Sequence, residues 1–222
     1  MLLAIDTSTR TVGLALYDGA QVVSEMIWTS HDHHTAELAP AIADLMAKAG
    51  INAGNLQALA VALGPGSFTG LRIGLAVAKG LALVRHIPIV GIPTLDFLAA
   101  AQPVREVPLA AVLRAGRNRL AVGWYKAERG AWQATGEVVG MTAQELHDLI
   151  QAPTVVCGEL TGEERRLLGR RRKIVLLASP AQSLRRPSFL AELGWRQWQM
   201  GKVSDPATLA PFYLHYNEPI PG

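Results

Sequence analysis

Short apolar runs separated by polar turns alternate along this chain with longer stretches of helical period. Leu2–Ile5 is an apolar run of strand length that ends on the turn Asp6-Thr7-Ser8-Thr9. Val12–Tyr17 and Gln21–Trp28 read as two further strands joined by Asp18-Gly19, a strong hairpin signal. Ser30–Thr35 then leads into a helix to about Ala49, with Leu38, Ile42, Leu45 and Met46 on one face and Gly50 as the stop. Pro40 is expected in the first turns of that helix, where its missing N–H costs least. A buried strand at 58–63, a glycine loop, a helix to about Val84 and a strand Ile87–Val90 follow.

The second half repeats this order. Val107–Leu113, Leu120–Tyr125 and Trp132–Val139 form a second meander, with a turn at Gly116-Arg117-Asn118. Thr142-Ala-Gln-Glu145 is a capping box opening a helix to about Ile150. A strand Thr154–Cys157, a short helix from Glu159 to about Leu168, a strand Lys173–Leu177 and a helix carrying Phe189, Leu190, Leu193, Trp195 and Trp198 complete it. Such a duplication predicts an α/β fold of two similar subdomains with mixed sheets, at 1–102 and 103–202, followed by a tail at 203–222. In that architecture Asp6–Thr9 and the glycine loop both face the cleft between the halves.

The loop Gly64-Pro-Gly-Ser-Phe-Thr-Gly70 sits between a strand and a helix, the context of a phosphate loop. The phosphate-loop spacing is absent, and Leu71 stands where the lysine would be. Ser67 lacks the Gly-x-Ser-x-Gly setting of a nucleophile and is better placed to cap the helix. That helix is apolar nearly all round, and Gly70, Gly74 and Ala78 form a stripe of small residues along it. Helical glycine costs about 1 kcal/mol relative to alanine, so the stripe implies close approach by a neighbour, in this domain or in a partner.

Half of the 222 residues are hydrophobic and 18% are charged, ample for a core. No stretch has the uninterrupted apolar length of a membrane span, and Met1–Asp6 lacks the basic region of a signal peptide. The one cysteine, Cys157, lies in an apolar run and reads as a buried thiol of a cytoplasmic protein. The net charge of +3 permits but does not argue for nucleic-acid binding. Basic residues cluster at Arg165-Arg166 and Arg170–Lys173, and without interleaved aromatics they read as a solvated helix end. Asp6, Thr7 and Ser8 suit either water-mediated Mg²⁺ and phosphate contacts or a strand-end turn. His31, Asp32, His33 and His34 are adjacent along the chain, which is poor geometry for one metal, so they read as a solvated loop.

Leu3–Thr9, Gly64–Gly74 and Gly91–Leu95, together with His34-Thr35, Leu38 and Pro40, resemble the bacterial TsaB (YeaZ) family. The resemblance covers residues 1–100 closely and the second half loosely. It implies an actin/Hsp70/sugar-kinase fold of two RNase H-like subdomains. It also implies a non-catalytic cytoplasmic subunit for threonylcarbamoylation of adenosine 37 in tRNAs that read codons beginning with A. The implied partners are the catalytic paralogue TsaD and the ATPase TsaE. Self-association is implied when the paralogue is absent, and contact with tRNA is indirect. The implied interface lies on the two N-terminal-half helices, giving Leu38, Ile42, Leu45, Gly70, Gly74, Val77, Ala78 and Leu81 as candidates. No catalytic or metal-holding residue is expected. Asp6, Thr7, Ser8, Gly64, Gly66 and Ser67 would be vestiges of a phosphate-facing site, with Mg-ATP weak or absent on this chain. Arg114 stands where the family commonly has an acid, which weakens the case for a magnesium nucleotide in the cleft. The alternative function is an ATP-dependent kinase or ATPase of the same fold.

Overall fold

The computed structural model describes residues 1–30, 34–116 and 119–214. The first lobe is built on β1 (Leu2–Asp6), β2 (Thr11–Tyr17), β3 (Val22–Thr29), β4 (Ala58–Ala62) and β5 (Ile89–Ile92), in the order β3-β2-β1-β4-β5. β1 pairs antiparallel with β2 and parallel with β4, so hairpin and crossover strands share one sheet. The second lobe carries β6 (Leu109–Arg114), β7 (Leu120–Glu128), β8 (Ala131–Ala134), β9 (Val139–Met141), β10 (Thr154–Gly158) and β11 (Val175–Leu177). Its order is β11-β10-β6-β7-β8, with β9 also pairing with β7. The duplicated strand pattern is thus realised as two mixed sheets.

Side-chain alternation along β1 places Leu3 and Ile5 in one core layer and Leu2 and Ala4 in another. The first layer lies under α1 (His34–Lys48) and α2 (Phe68–Arg85). Leu38, Ile42 and Leu45 of α1 are buried there, against β2 and β3. Pro40 falls inside α1 rather than in its first turn, on the exposed side. An exposed position lets water meet the carbonyl that the proline ring leaves unbonded.

Three expectations change. A helix not foreseen, α3 (Thr94–Ala100), follows β5. It is only seven residues long and lacks a side-chain cap, so it leaves little periodic signal. The expected strand at 132–139 is two strands, because β8 pairs with the far end of β7 and β9 with its start. Most consequential, the lobes exchange helices. Leu95, Leu98 and Ala99 of α3 join the core of the second lobe. Leu190 and Ala191 of α6 (Pro187–Gln199) join Leu2, Ala4, Ala15 and Ala60 on the far face of the first sheet. The boundary placed between 102 and 103 therefore divides the sheets but not the cores.

The remaining helices, α4 (Ala143–Leu149) and α5 (Gly162–Leu168), are each opened by a reciprocal capping box, Thr142 with Glu145 and Thr161 with Glu164. Among the described residues, no helix is long and apolar enough to cross a membrane.

Candidate functional site

The cleft between the lobes has a volume of about 1240 Å³. It is bounded by the turn after β1, the glycine loop with the start of α2, the end of β6 at Arg114, the segment after β10, and Tyr213 and Leu214 of the tail.

Hydrogen bonds hold the glycine loop against the β1 turn. The Ser67 N–H donates to the Ser8 carbonyl at 2.6 Å, and the Thr94 N–H donates to the Gly64 carbonyl at 2.7 Å. The Thr94 hydroxyl meets the Ser8 hydroxyl at 2.8 Å and accepts from the Gly64 N–H at 3.0 Å. A side chain at Gly66 would run into the Ser8 backbone. Ser67 caps α2, its hydroxyl accepting from the Gly70 N–H at 3.2 Å.

The small-residue stripe on α2 has its partner inside the chain. The Thr7 hydroxyl donates to the Gly70 carbonyl at 2.7 Å. A β-carbon at Gly70 would strike the Thr7 carbonyl, and one at Gly74 the Thr7 hydroxyl. Gly70, Gly74 and Ala78 are buried, as are Leu38, Ile42 and Leu45, while Val77 and Leu81 are half-buried against the same core. The interface candidates thus sit mainly on the inner faces of α1 and α2. A helix packing on the outside of this layer would meet other residues.

At the base of the cleft Asp6 is 1% exposed and both its oxygens are engaged. Oδ1 accepts from the Ser8 N–H at 2.9 Å, as in a strand-end turn, and Oδ2 accepts from Arg185 Nε at 2.9 Å. Arg185 is buried and spends its other donors on both lobes. Nη2 donates to Thr9 Oγ1 at 2.8 Å and to the Thr11 carbonyl at 2.9 Å, while Nη1 pairs with Glu159 just after β10. The Thr9 hydroxyl also donates to Glu159 at 2.7 Å. Burial pulls the Arg185 pKa down, but the Asp6 and Glu159 carboxylates outweigh it and hold it above the ordinary arginine value. Asp6 is thus answered by donors of the chain itself, and neither it nor Arg185 lines the cavity, whose wall here is Thr9, Thr11 and Glu159.

Sequence reasoning did not single out Arg185, which lies 179 positions from Asp6. Its neighbour Arg186 is an ordinary half-exposed cation paired with Glu25, and nothing local separates the two. Arg114, at the end of β6, pairs with Glu164 at 3.2 Å. His34 Nε2 is 3.0 Å from the Thr9 carbonyl, whereas His31, Asp32 and His33 lie outside the described residues. Among the described residues, no three His, Cys, Asp or Glu side chains gather into a metal site. Cys157 is fully buried, and burial pushes its thiol up to about 12. The tail docks on the chain as far as Leu214. The Phe212 N–H donates to the Leu63 carbonyl at 2.6 Å, the Tyr213 ring lies 4.9 Å from that of Phe68, and Leu214 packs on the second core.

Two mixed sheets flanking a cleft, with an aspartate at the end of the first strand, define a protein of the actin/Hsp70/sugar-kinase fold class. Within that class the comparisons are specific. The family model described as "TsaD: tRNA N6-adenosine threonylcarbamoyltransferase" matches residues 21–157. The tRNA threonylcarbamoyladenosine biosynthesis protein TsaB of Bacillus subtilis is 31% identical, over 98% of this chain and 95% of its own. That of Escherichia coli is 32% identical over 68% of this chain and 66% of its own. The structure of YeaZ from Pseudomonas aeruginosa superposes with a TM-score of 0.78 at 26% identity, over 96% of this chain and 99% of that one. The chain belongs to the TsaB family.

Proposed function

We propose that this chain is a non-catalytic, cytoplasmic subunit in tRNA threonylcarbamoyladenosine formation. It supports a TsaD-type catalytic paralogue through the outer faces of α1 and α2, and works alongside a TsaE-type ATPase. The observation that carries this reading is the outer face itself. Ala36, Ala39, Ala43 and Ala47 of α1 are exposed along one side of the helix. On α2, Ala76 and Gly80 are exposed, and Leu83 and Val84 are 74% and 75% exposed. Small residues over two adjoining helices let a second helical pair approach closely, and the large aliphatics at one end supply buried area. Without its paralogue, the same face supports self-association.

The cleft argues against an ATPase or kinase acting on its own. Asp6 is buried, each of its oxygens already accepts from the chain itself, and it does not line the cleft in which a hydrated Mg²⁺ would sit. We therefore read the Asp6–Ser8 turn and the glycine loop as structural in this chain, with Mg-ATP weak or absent.

Ala76→Glu and Leu83→Glu test the docking face. Both positions are exposed, so each variant should melt like the parent, within the ±0.5 kcal/mol or so typical of surface changes. Each should lose co-elution with the purified paralogue on size exclusion. Co-elution of both variants at the parental level would remove the reading.

A further inference from the structure

We infer that the far edge of the second lobe carries a cradle for the phosphodiester backbone of double-helical RNA. It is built on Arg166, Arg170 and Arg172, with Arg165 at its wall. Six of the nine residues from 165 to 173 are Arg or Lys and none is acidic. Without these six cations the formal charge of +3 would be −3, so the chain's basic character is concentrated in this one segment.

The fold turns that run into a shaped surface. α5, the 3-10 turn Gly169–Arg171 and the edge strand β11 enclose a concavity of about 580 Å³. Its lining is Arg165, Arg166, Arg170 and Arg172, with Gly169, Val175 and Leu177 beneath them and no carboxylate among them. Among the described residues, none of the four guanidiniums is paired with an acid. Glu164, the nearest acid in sequence, is spent on the α5 cap and on Arg114. Glu163 is exposed on α5 and is not part of the lining.

Two arginines fix the frame. Arg171 donates to the His147 and Ile150 carbonyls at 2.9 and 2.7 Å, tying the turn to the end of α4. Arg165 donates to the Ala178 carbonyl at 2.6 Å, tying α5 to the segment after β11. Arg170 and Arg172, on either side of the anchored Arg171, remain exposed, as does Arg166. Arg166 Nε donates to the Gly162 carbonyl at 3.2 Å, which leaves its Nη groups outward. Guanidiniums with no acid partner suit the planar, two-oxygen contact that a phosphate offers.

The lining contains no aromatic residue on which a splayed base could stack, which disfavours single strands. A-form RNA presents ribose and phosphate across a broad groove and is recognised by shape and charge, as an arginine cradle would do. The cradle is separate from the docking face, so the inference stands whether or not that face has a partner.

The test is fluorescence anisotropy of the full chain with a labelled, unmodified tRNA transcript, titrated with salt. The variant Arg166→Ala/Arg170→Ala/Arg172→Ala is compared with a charge-matched control, Arg105→Ala/Lys126→Ala/Lys202→Ala, whose positions are also exposed. The cradle variant should bind about ten-fold more weakly or worse. Its log–log salt slope should fall by about 2 to 3, close to one for each phosphate no longer neutralised. The control should stay within about two-fold of the parent, and circular dichroism should match for all three. A short RNA duplex should compete better than single-stranded oligouridylate. Equal loss in both variants, a slope unchanged by the cradle substitutions, undetectable binding by the parent, or preference for the single strand would each overturn the inference.

Discussion

Arg185→Met removes the guanidinium but keeps most of the aliphatic volume. Asp6 is then left 1% exposed with one oxygen unpaired, and Glu159 loses its cationic partner. Breaking a buried ion pair from one side costs about 3–5 kcal/mol, because the stranded charge stays out of water. For a domain of this size 1 kcal/mol moves the melting midpoint by about 2–4 °C, so the variant should melt roughly 6–20 °C below the parent. Arg185→Lys should recover little of this. A single ammonium cannot serve Asp6, Glu159, Thr9 and the Thr11 carbonyl from one position. Adding Asp6→Asn to Arg185→Met should restore part of the loss, since the stranded carboxylate is gone, and the two effects should be strongly non-additive. Urea titration and thermal melts by circular dichroism give both quantities. If Arg185→Met melts within about 1 °C of the parent, the guanidinium does not carry the cleft and the reasoning fails.

Gly74→Ala should destabilise the chain by about 1–3 kcal/mol in a urea titration, because its methyl meets the Thr7 hydroxyl in a packed layer. For the same reason a charge at Gly74 would disturb the fold itself and cannot serve as a clean probe of pairing. Gly80→Ala meets nothing within 4 Å and should stabilise the isolated chain by about 0.5–1 kcal/mol, while weakening co-elution with the paralogue. Asp96, which accepts from the Tyr125 hydroxyl at 2.8 Å, has its pKa raised by burial despite that bond. A raised acid favours folding fully below its unfolded value near 3.8, and that contribution is lost as pH climbs through the higher folded value. Asp96→Asn should therefore melt above the parent at pH 7, with the gap closing as pH falls towards 3.8, and a gap constant with pH would contradict the assignment.

Much of the architecture was legible because it rests on local pattern. Leu2–Ile5, Asp18-Gly19 and the box at Thr142–Glu145 each state their structure within a few residues. The duplication of that pattern predicted two mixed sheets. What sequence alone could not supply was which surface each helix covers. Periodicity shows that α2 is apolar on most sides but not which side meets Thr7, so spacing left the stripe open between a neighbour in the same domain and a partner. The same gap hid the exchange of α3 and α6, whose apolar faces carry no mark of the sheet they join. Arg185 was invisible because its partners, Asp6, Thr9, Thr11 and Glu159, come from both lobes and only the completed fold brings them together.

The traded helices bear on how the polypeptide comes off the ribosome. When residue 102 has emerged, one side of the first sheet still shows Leu2, Ala4, Ala15 and Ala60 bare, and the helix that will cover them ends only at Gln199. Meanwhile α3 holds out Leu95 and Leu98 to a sheet not yet made. Neither half can finish before the other, so the nascent chain must keep both greasy surfaces from sticking elsewhere until α6 is synthesised. Cutting the gene at the repeat boundary would release two fragments that precipitate rather than two small working proteins.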